Sequence, residues 1–271
     1  MEKQSYNNII GVDFSGGRNA GDKIWVSRGK IENGVLHVYS CDRMSELHGS
    51  KNREIALTHL REMILSLEDG VAGLDFPFSI PRELIGHSRW DLFAKQFGES
   101  YPDEHDFRRR CFTKAKNKEL KRLTDSEMKT PFCPYNLRLY RQTYFGIRDV
   151  LAPLVTEDRV CVAPMQCIVP GKPLVVEICP ASTLKLLNLY RQYKGKAPEH
   201  RRERAAILDE LESKKLVTID AKVRPKLLKD TEGDALDSVV AALAAFRALG
   251  QIERKLDSAR AEYLVEGFVY A

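Results

Sequence analysis

Two short stretches of this chain place a carboxylate where an apolar run ends. Asn8-Ile-Ile-Gly-Val-Asp-Phe-Ser-Gly-Gly17 leads Ile9, Ile10 and Val12 into Asp13, and Gly73-Leu-Asp-Phe76 repeats the local pattern around Asp75. Each apolar run reads as a buried strand, and Gly16-Gly17 as the turn that ends the first. An acid so placed stands at the carboxyl end of its strand, where open α/β sheets gather their ligands. A third acid, Glu177, sits in the run Pro173-Leu-Val-Val-Glu-Ile178, just before Cys179-Pro180 ends that strand. The fourth site lies in Thr231–Ala245, where small apolar residues mark a buried helix that packs on a sheet. Asp234 and Asp237, three residues apart, share one face of its first turn. Acids in a first turn also cap a helix and complement its dipole, which needs no metal.

Carboxylates from parallel neighbouring strands and a facing helix would repel one another, and a bound divalent cation removes the conflict. Hard oxygen ligands without a His or Cys partner suit Mg²⁺ or Mn²⁺ over zinc. Two such ions about 4 Å apart activate a water and stabilise the leaving oxygen in phosphodiester hydrolysis. The candidate metal ligands are therefore Asp13, Asp75, Glu177, Asp234 and Asp237.

The elements that must position these acids follow from periodicity. After the first strand, Lys23–Arg28 and Val35–Tyr39 read as two more, joined at Asn33-Gly34 by a turn of the primed type into an antiparallel meander. Residues 53–67 carry Ile55, Leu57, Leu60, Ile64 and Leu67 at helical spacing, with Gly70 as the stop. The strand Val71–Asp75 then runs parallel to the first, as a helical crossover requires. Residues 82–150 break the alternation and read as a mostly helical insertion in a single domain spanning 1–271. Asp158–Ala163 and Pro173–Ile178 are further strands, and helices are expected over Ser182–Tyr193 and Pro198–Ser213.

Charge points towards a polyanionic partner. The 271 residues carry a net charge of +5, but Arg108, Arg109, Arg110, Lys114, Lys116, Lys118, Lys121 and Arg122 crowd a segment whose one acid is Glu119. Such a run is either a solvated helix face or a site for the phosphate backbone of nucleic acid, with Arg108, Arg109, Arg110 and Lys114 as the candidate contacts. Hydrophobic content of 43% and charged content of 30% are those of a soluble globular protein. No apolar run reads as long enough to cross a bilayer, and the polar start lacks a signal-peptide core, so the expectation is a cytoplasmic protein without a membrane partner. Six scattered cysteines with no Cys-x-x-Cys read as reduced and mostly buried.

The order of meander, helix, strand with a terminal acid, and late Asp-x-x-Asp helix resembles the ribonuclease H-like superfamily, and Asp234-Ala-Leu-Asp-Ser-Val-Val-Ala-Ala-Leu-Ala is similar to the closing helix of RuvC-type resolvases. More closely, Gly-Val-Asp-Phe-Ser-Gly, Gly-Leu-Asp-Phe-Pro-Phe-Ser, Val-Glu-Ile-Cys-Pro-Ala-Ser and Gly-Asp-Ala-Leu-Asp-Ser-Val-Val-Ala-Ala, with the ending Glu-Gly-Phe-Val-Tyr270, resemble the domain of unknown function 429 family. The resemblance spans nearly the whole chain. It implies an α/β fold with three antiparallel strands followed by parallel ones, flanked by helices. It also implies a Mg²⁺- or Mn²⁺-dependent nuclease with Asp13, Asp75 and Asp237 as metal-binding acids and Glu177 and Asp234 as further ligands or orienting groups. Resolvases of this type act as dimers, which carries over as an expected homodimer. Two other readings share the broad fold. Gly-Val-Asp-Phe-Ser-Gly-Gly also resembles the first phosphate loop of actin-like ATPases and sugar kinases, although the late glycine-rich adenosine loop of those proteins has no counterpart here. A catalytically silent nucleic-acid-binding protein is the other.

Overall fold

The computed structural model describes residues 6–257 and 260–271. Eight strands form one mixed sheet: β1 (Asn8–Asp13), β2 (Trp25–Glu32), β3 (Val35–Arg43), β4 (Gly70–Leu74), β5 (Cys161–Ala163), β6 (Leu174–Ile178), β7 (Val217–Ile219) and β8 (Val269–Tyr270). Their order is β5-β6-β4-β1-β2-β3-β7. β1, β2 and β3 form the expected antiparallel meander, while β4 and β6 run parallel to β1. Asn33 and Gly34, at φ 52° and 78°, make the primed turn between β2 and β3. β8 pairs with Glu177 and Ile178, on the side of β6 opposite β4, and so continues the row that β5 begins.

Strand alternation divides the core. Ile9, Val71 and Val176 face one layer, dominated by the helix Asp234–Asp257; Ile10, Val12, Leu74 and Val175 face the other. The closing helix lies unusually close to the sheet. A Cβ on Gly11 would sit 2.0 Å from the Ala242 nitrogen, and one on Gly73 would sit 2.8 Å from the Ala245 Cβ. That approach explains the run of alanines, since larger side chains would lift the helix away from the strands. It also corrects one expectation: residues 234–252 are long and apolar enough to cross a membrane, but most of that stretch is buried inside the protein.

The opposite layer holds the helix Arg53–Leu65 and residues 82–156. The latter segment does consist largely of short helices, but it is not an appendage. Trp90, Phe93, Phe97, Phe107, Tyr144 and Phe145 belong to the same core as Val12 and Leu74. The segment is thus the second wall of the molecule.

Several boundaries differ from expectation. The first long helix ends at Leu65, with Ala56 buried where Ile55 was expected and Ile55 45% exposed. Gly70 opens β4 instead of stopping that helix. The helix expected over 182–193 runs only from Pro180 to Leu186, and residues 187–197 form a connection that reaches the carboxylates. Helix Pro198–Ser213 falls where expected, but its buried face includes Arg204 beside Ile207, Leu208 and Leu211.

Candidate metal centre

The sheet carries Asp13 and Asp75 to one edge. Asp13 is the last residue of β1, and the Asp75 amide donates to the Val12 carbonyl at 3.0 Å, extending the parallel ladder one residue beyond β4. Both acids occupy the face that carries Ile9, Gly11, Val71 and Gly73, towards the closing helix. The next residues, Phe14 and Phe76, turn into the opposite core with ring centroids 4.5 Å apart and lock the strand ends in register.

The closing helix supplies the other pair. Asp230 accepts from the Ala235 amide at 3.0 Å and holds the helix start. Ser238 bonds Ser27 of β2 at 2.7 Å and fastens the first turn to the sheet. Gly233, at φ 82°, turns the chain into the helix where a Cβ would also strike the Tyr193 ring at 2.9 Å. Side-chain oxygens of Asp13, Asp234 and Asp237 consequently lie within 4.8 Å of one another. Asp75 stands outside that group but close enough to raise the pKa of Asp13.

Glu177 does not join them. It pairs in register with Leu74, so its side chain points to the opposite face from Asp75. There it receives two hydrogen bonds from the buried Arg122, Nη2 to Oε1 at 2.5 Å and Nη1 to Oε2 at 2.8 Å, and a third from the Phe78 amide at 2.9 Å. Asp125 takes the remaining edge of the same guanidinium, at 3.0 and 2.8 Å. Glu177 lines the same cleft and raises the pKa of Asp75 through space, but its oxygens are taken by Arg122 and the Phe78 amide, so strand alternation corrects its expected place among the metal ligands.

Two residues that sequence spacing did not single out complete the arrangement. Lys194 places Nζ 2.6 Å from Asp237 Oδ2 and 3.5 Å from Asp234 Oδ1. The Tyr193 hydroxyl donates to Asp237 Oδ1 at 2.5 Å. Arg204 fixes this segment by donating to the Tyr193 carbonyl at 2.6 Å.

The electrostatics agree with the crowding. Burial first, then Asp234, Asp237 and Asp75, push the Asp13 carboxyl well above the usual range. Burial and Asp237 do the same to Asp75. Asp234 is pushed up to about 6 by burial, and Lys194 relieves part of that shift. Asp237 is raised by burial, with Lys194 and Tyr193 opposing. For Lys194, burial pulls the ammonium pKa down, but Asp237 and Asp13 outweigh it and the group stays charged. Cys179, at the same cleft, has its thiol pushed up to about 12 by burial and Asp75, so it is a neutral thiol and no nucleophile near neutral pH.

The acids floor a cleft of about 380 Å³ whose walls include Phe132, Arg138, Gln142 and Tyr190. Its all-oxygen donor set, with no histidine, fits a hard divalent cation such as Mg²⁺ or Mn²⁺. A second groove of about 550 Å³ carries His105, Arg108, Arg109, Phe112, Asn117 and Tyr140. The two share the segment 137–142, since Tyr140 lines the groove while Arg138, Leu139 and Gln142 line the cleft.

The basic run is dispersed over several environments. Arg122 is buried with Glu177 and Asp125, which removes it from any surface patch. Arg109 and Arg110 both pair with Asp106, and Lys114 donates to the Leu84 carbonyl at 3.3 Å. Arg108 lies over the Phe112 ring at 4.6 Å with a buried Nε that has no hydrogen-bond partner. All six cysteines are free; Cys167 is exposed and Cys179 partly so. Comparison of the chain with family models, with curated proteins and with solved structures finds no match.

Proposed function

We propose that this protein is a divalent-metal-dependent nuclease of the ribonuclease H-like kind, hydrolysing phosphodiester bonds in nucleic acid with Mg²⁺ or Mn²⁺. The observation that carries this reading is the convergence of Asp13, Asp234 and Asp237 within 4.8 Å, with Asp75 beside them at the same sheet edge. Such a cluster holds several like charges in a partly desolvated cleft, and a divalent cation is the ligand that relieves them. The β3-β2-β1-β4 order, with β2 antiparallel and β4 parallel to β1, supports the ribonuclease H-like assignment, as does the resemblance to the domain of unknown function 429 family.

Asp13, Asp75, Asp234 and Asp237 would hold the ion, which when bound polarises the phosphate and lowers the pKa of a water. In the hydrolysis the water oxygen bonds to phosphorus as one phosphorus–oxygen ester bond breaks; a carboxylate of the cluster takes the water proton, and the departing alkoxide is protonated from solvent. Arg138 and Gln142 stand at the cleft wall where a substrate phosphate would pass. The neighbouring groove, with Arg108, Arg109, Phe112 and Tyr140, offers cations and ring faces of the kind that hold a single strand's phosphates and bases.

Asp13→Asn and Asp237→Asn test the reading, because each removes charge with little change of shape. Cleavage of a labelled oligonucleotide with Mn²⁺ should fall by about 100-fold or more in each, while the circular dichroism spectrum stays native. Parental cleavage rates in both variants would exclude this cluster as the active site.

A further inference from the structure

The acids of the cleft divide into two halves that are served differently. Both carboxylate oxygens of Asp237 are engaged, one by the Lys194 ammonium and one by the Tyr193 hydroxyl. Among the described residues no hydrogen-bond donor reaches the side-chain oxygens of Asp13 or Asp75, although both lie at the floor of the cleft. Lys194 thus binds Asp237 and Asp234 directly, while Asp13 and Asp75 meet its charge only through space.

Lys194 is fixed in place by its surroundings. The Gly195 amide donates to the Thr231 carbonyl at 2.7 Å, tying the segment to the start of the closing helix. Arg204, only 2% exposed, holds the Tyr193 carbonyl from the other side. The lysine stem packs over Gly233, where a Cβ would lie 3.0 Å from Lys194 Cγ. An ammonium has three hydrogens. Asp237 and Asp234 take two, which leaves the third, and Lys194 lines the cleft with its side chain half exposed.

We propose that Lys194 is a tethered cation occupying one of the two cation positions of the carboxylate cluster, so that hydrolysis here uses one divalent ion together with the Lys194 ammonium instead of two ions. This rests on the nuclease reading above. The charge count favours it: four carboxylates balanced by one ammonium and one divalent ion keep a single negative charge, whereas a second divalent ion would sit against the ammonium at the same pair of oxygens. Lys194 then faces the scissile phosphate and stabilises the charge that develops on its oxygens, as a fixed positive group does in a desolvated site.

Calorimetric titration with Mn²⁺ alone tests this on the native protein, Lys194→Met and Lys194→Arg. The native protein and Lys194→Arg should each bind one ion, and Lys194→Met should bind two. Cleavage of a labelled single-stranded oligonucleotide should rise with the first power of Mn²⁺ concentration for the native protein. For Lys194→Met it should be about 100-fold slower at the same Mn²⁺ and recover with the second power of concentration. Native protein that cuts while binding two ions overturns the role of Lys194 and leaves the nuclease reading standing; so does Lys194→Met that binds one ion and cuts at the native rate. Native protein that binds no Mn²⁺ and cuts nothing removes the nuclease reading, and this inference with it.

Discussion

Glu177 is the residue at which reading a site from sequence and reading it from geometry give opposite predictions. The perturbations are Glu177→Gln and Arg122→Met. Arg122 and Glu177 have side chains 1% and 3% exposed, and Asp125 is 2% exposed. Every guanidinium nitrogen is engaged, by Asp125, Glu177 and the Glu266 carbonyl. Arg122→Met leaves two buried carboxylates without a cation, which should cost about 3–5 kcal/mol. Glu177→Gln costs less, because Arg122 keeps Asp125 and the glutamine oxygen can still accept from the Phe78 amide. What it loses is one charged hydrogen bond, and its amide nitrogen then faces an Arg122 donor, for a cost of about 2 kcal/mol. Urea unfolding at pH 7 reads both as a lowered midpoint at unchanged slope, with Arg122→Met shifted by roughly 1 M or more. Mn²⁺ affinity of Glu177→Gln, measured by titration calorimetry, should stay within about tenfold of native, since the change removes one charge that acts on Asp75 only through space and no ligand. A Glu177→Gln protein as stable as the parent but binding Mn²⁺ more than tenfold more weakly would show that Glu177 is a ligand and that the strand-alternation argument fails.

Three other outcomes follow from the same geometry. Asp234 binds its proton more tightly when folded, with a pKa of about 6, than when unfolded; the native state therefore holds extra protons between roughly pH 4 and 6, and metal-free stability should fall as pH rises through that window, on the order of 3 kcal/mol from this group. Thermal scans from pH 4 to 8 check this, and Mn²⁺ should raise the melting temperature more at pH 7 than at pH 5, where protons compete. Gly11→Ala must push the closing helix off β1, because the new Cβ meets backbone at 2.0 and 2.3 Å; denaturant unfolding should show a loss of about 3 kcal/mol or more, and Mn²⁺ binding should weaken as Asp237 moves away from Asp13. Replacing Arg108, Arg109, Arg110 and Lys114 together by neutral residues should flatten the salt dependence of oligonucleotide binding, and an unchanged slope would reduce that helix to a solvated surface.

The sheet was legible in the sequence because its signals are local. The Val12-Asp13 and Leu74-Asp75 strand ends, the Asn33-Gly34 turn and the alanine-rich closing helix each state their conformation within a few residues. The convergence of Asp13, Asp75, Asp234 and Asp237 followed from those elements and one topological rule, that a helical crossover makes β4 parallel to β1. Glu177 was misplaced for a reason of parity: it pairs with Leu74, one residue short of Asp75, and a single step along a strand reverses the face. Arg122 was counted with its basic neighbours because charge composition carries no information about burial. Lys194 was not legible because it lies in the connection after Leu186, where no periodicity marks which side chains face the acids.

The way the site is mounted separates its two kinds of component. The carboxylates ride on backbone that has almost no freedom: Gly11 and Gly73 let the closing helix rest directly on β1 and β4, and Ser238 bonds β2 one residue beyond Asp237. The positive charge comes from a different source, the 187–197 connection, held by Arg204 from the helix behind it and by Thr231 at the start of the closing helix. Rigid acids fix where a cation must sit, which sets the geometry of any reaction there. The cation is held by contacts separate from the strand-to-helix packing that spaces the acids. Changes at Arg204 should therefore affect the site through Tyr193 and Lys194 while leaving the acid spacing intact, whereas changes at Gly11 should alter the acid spacing itself.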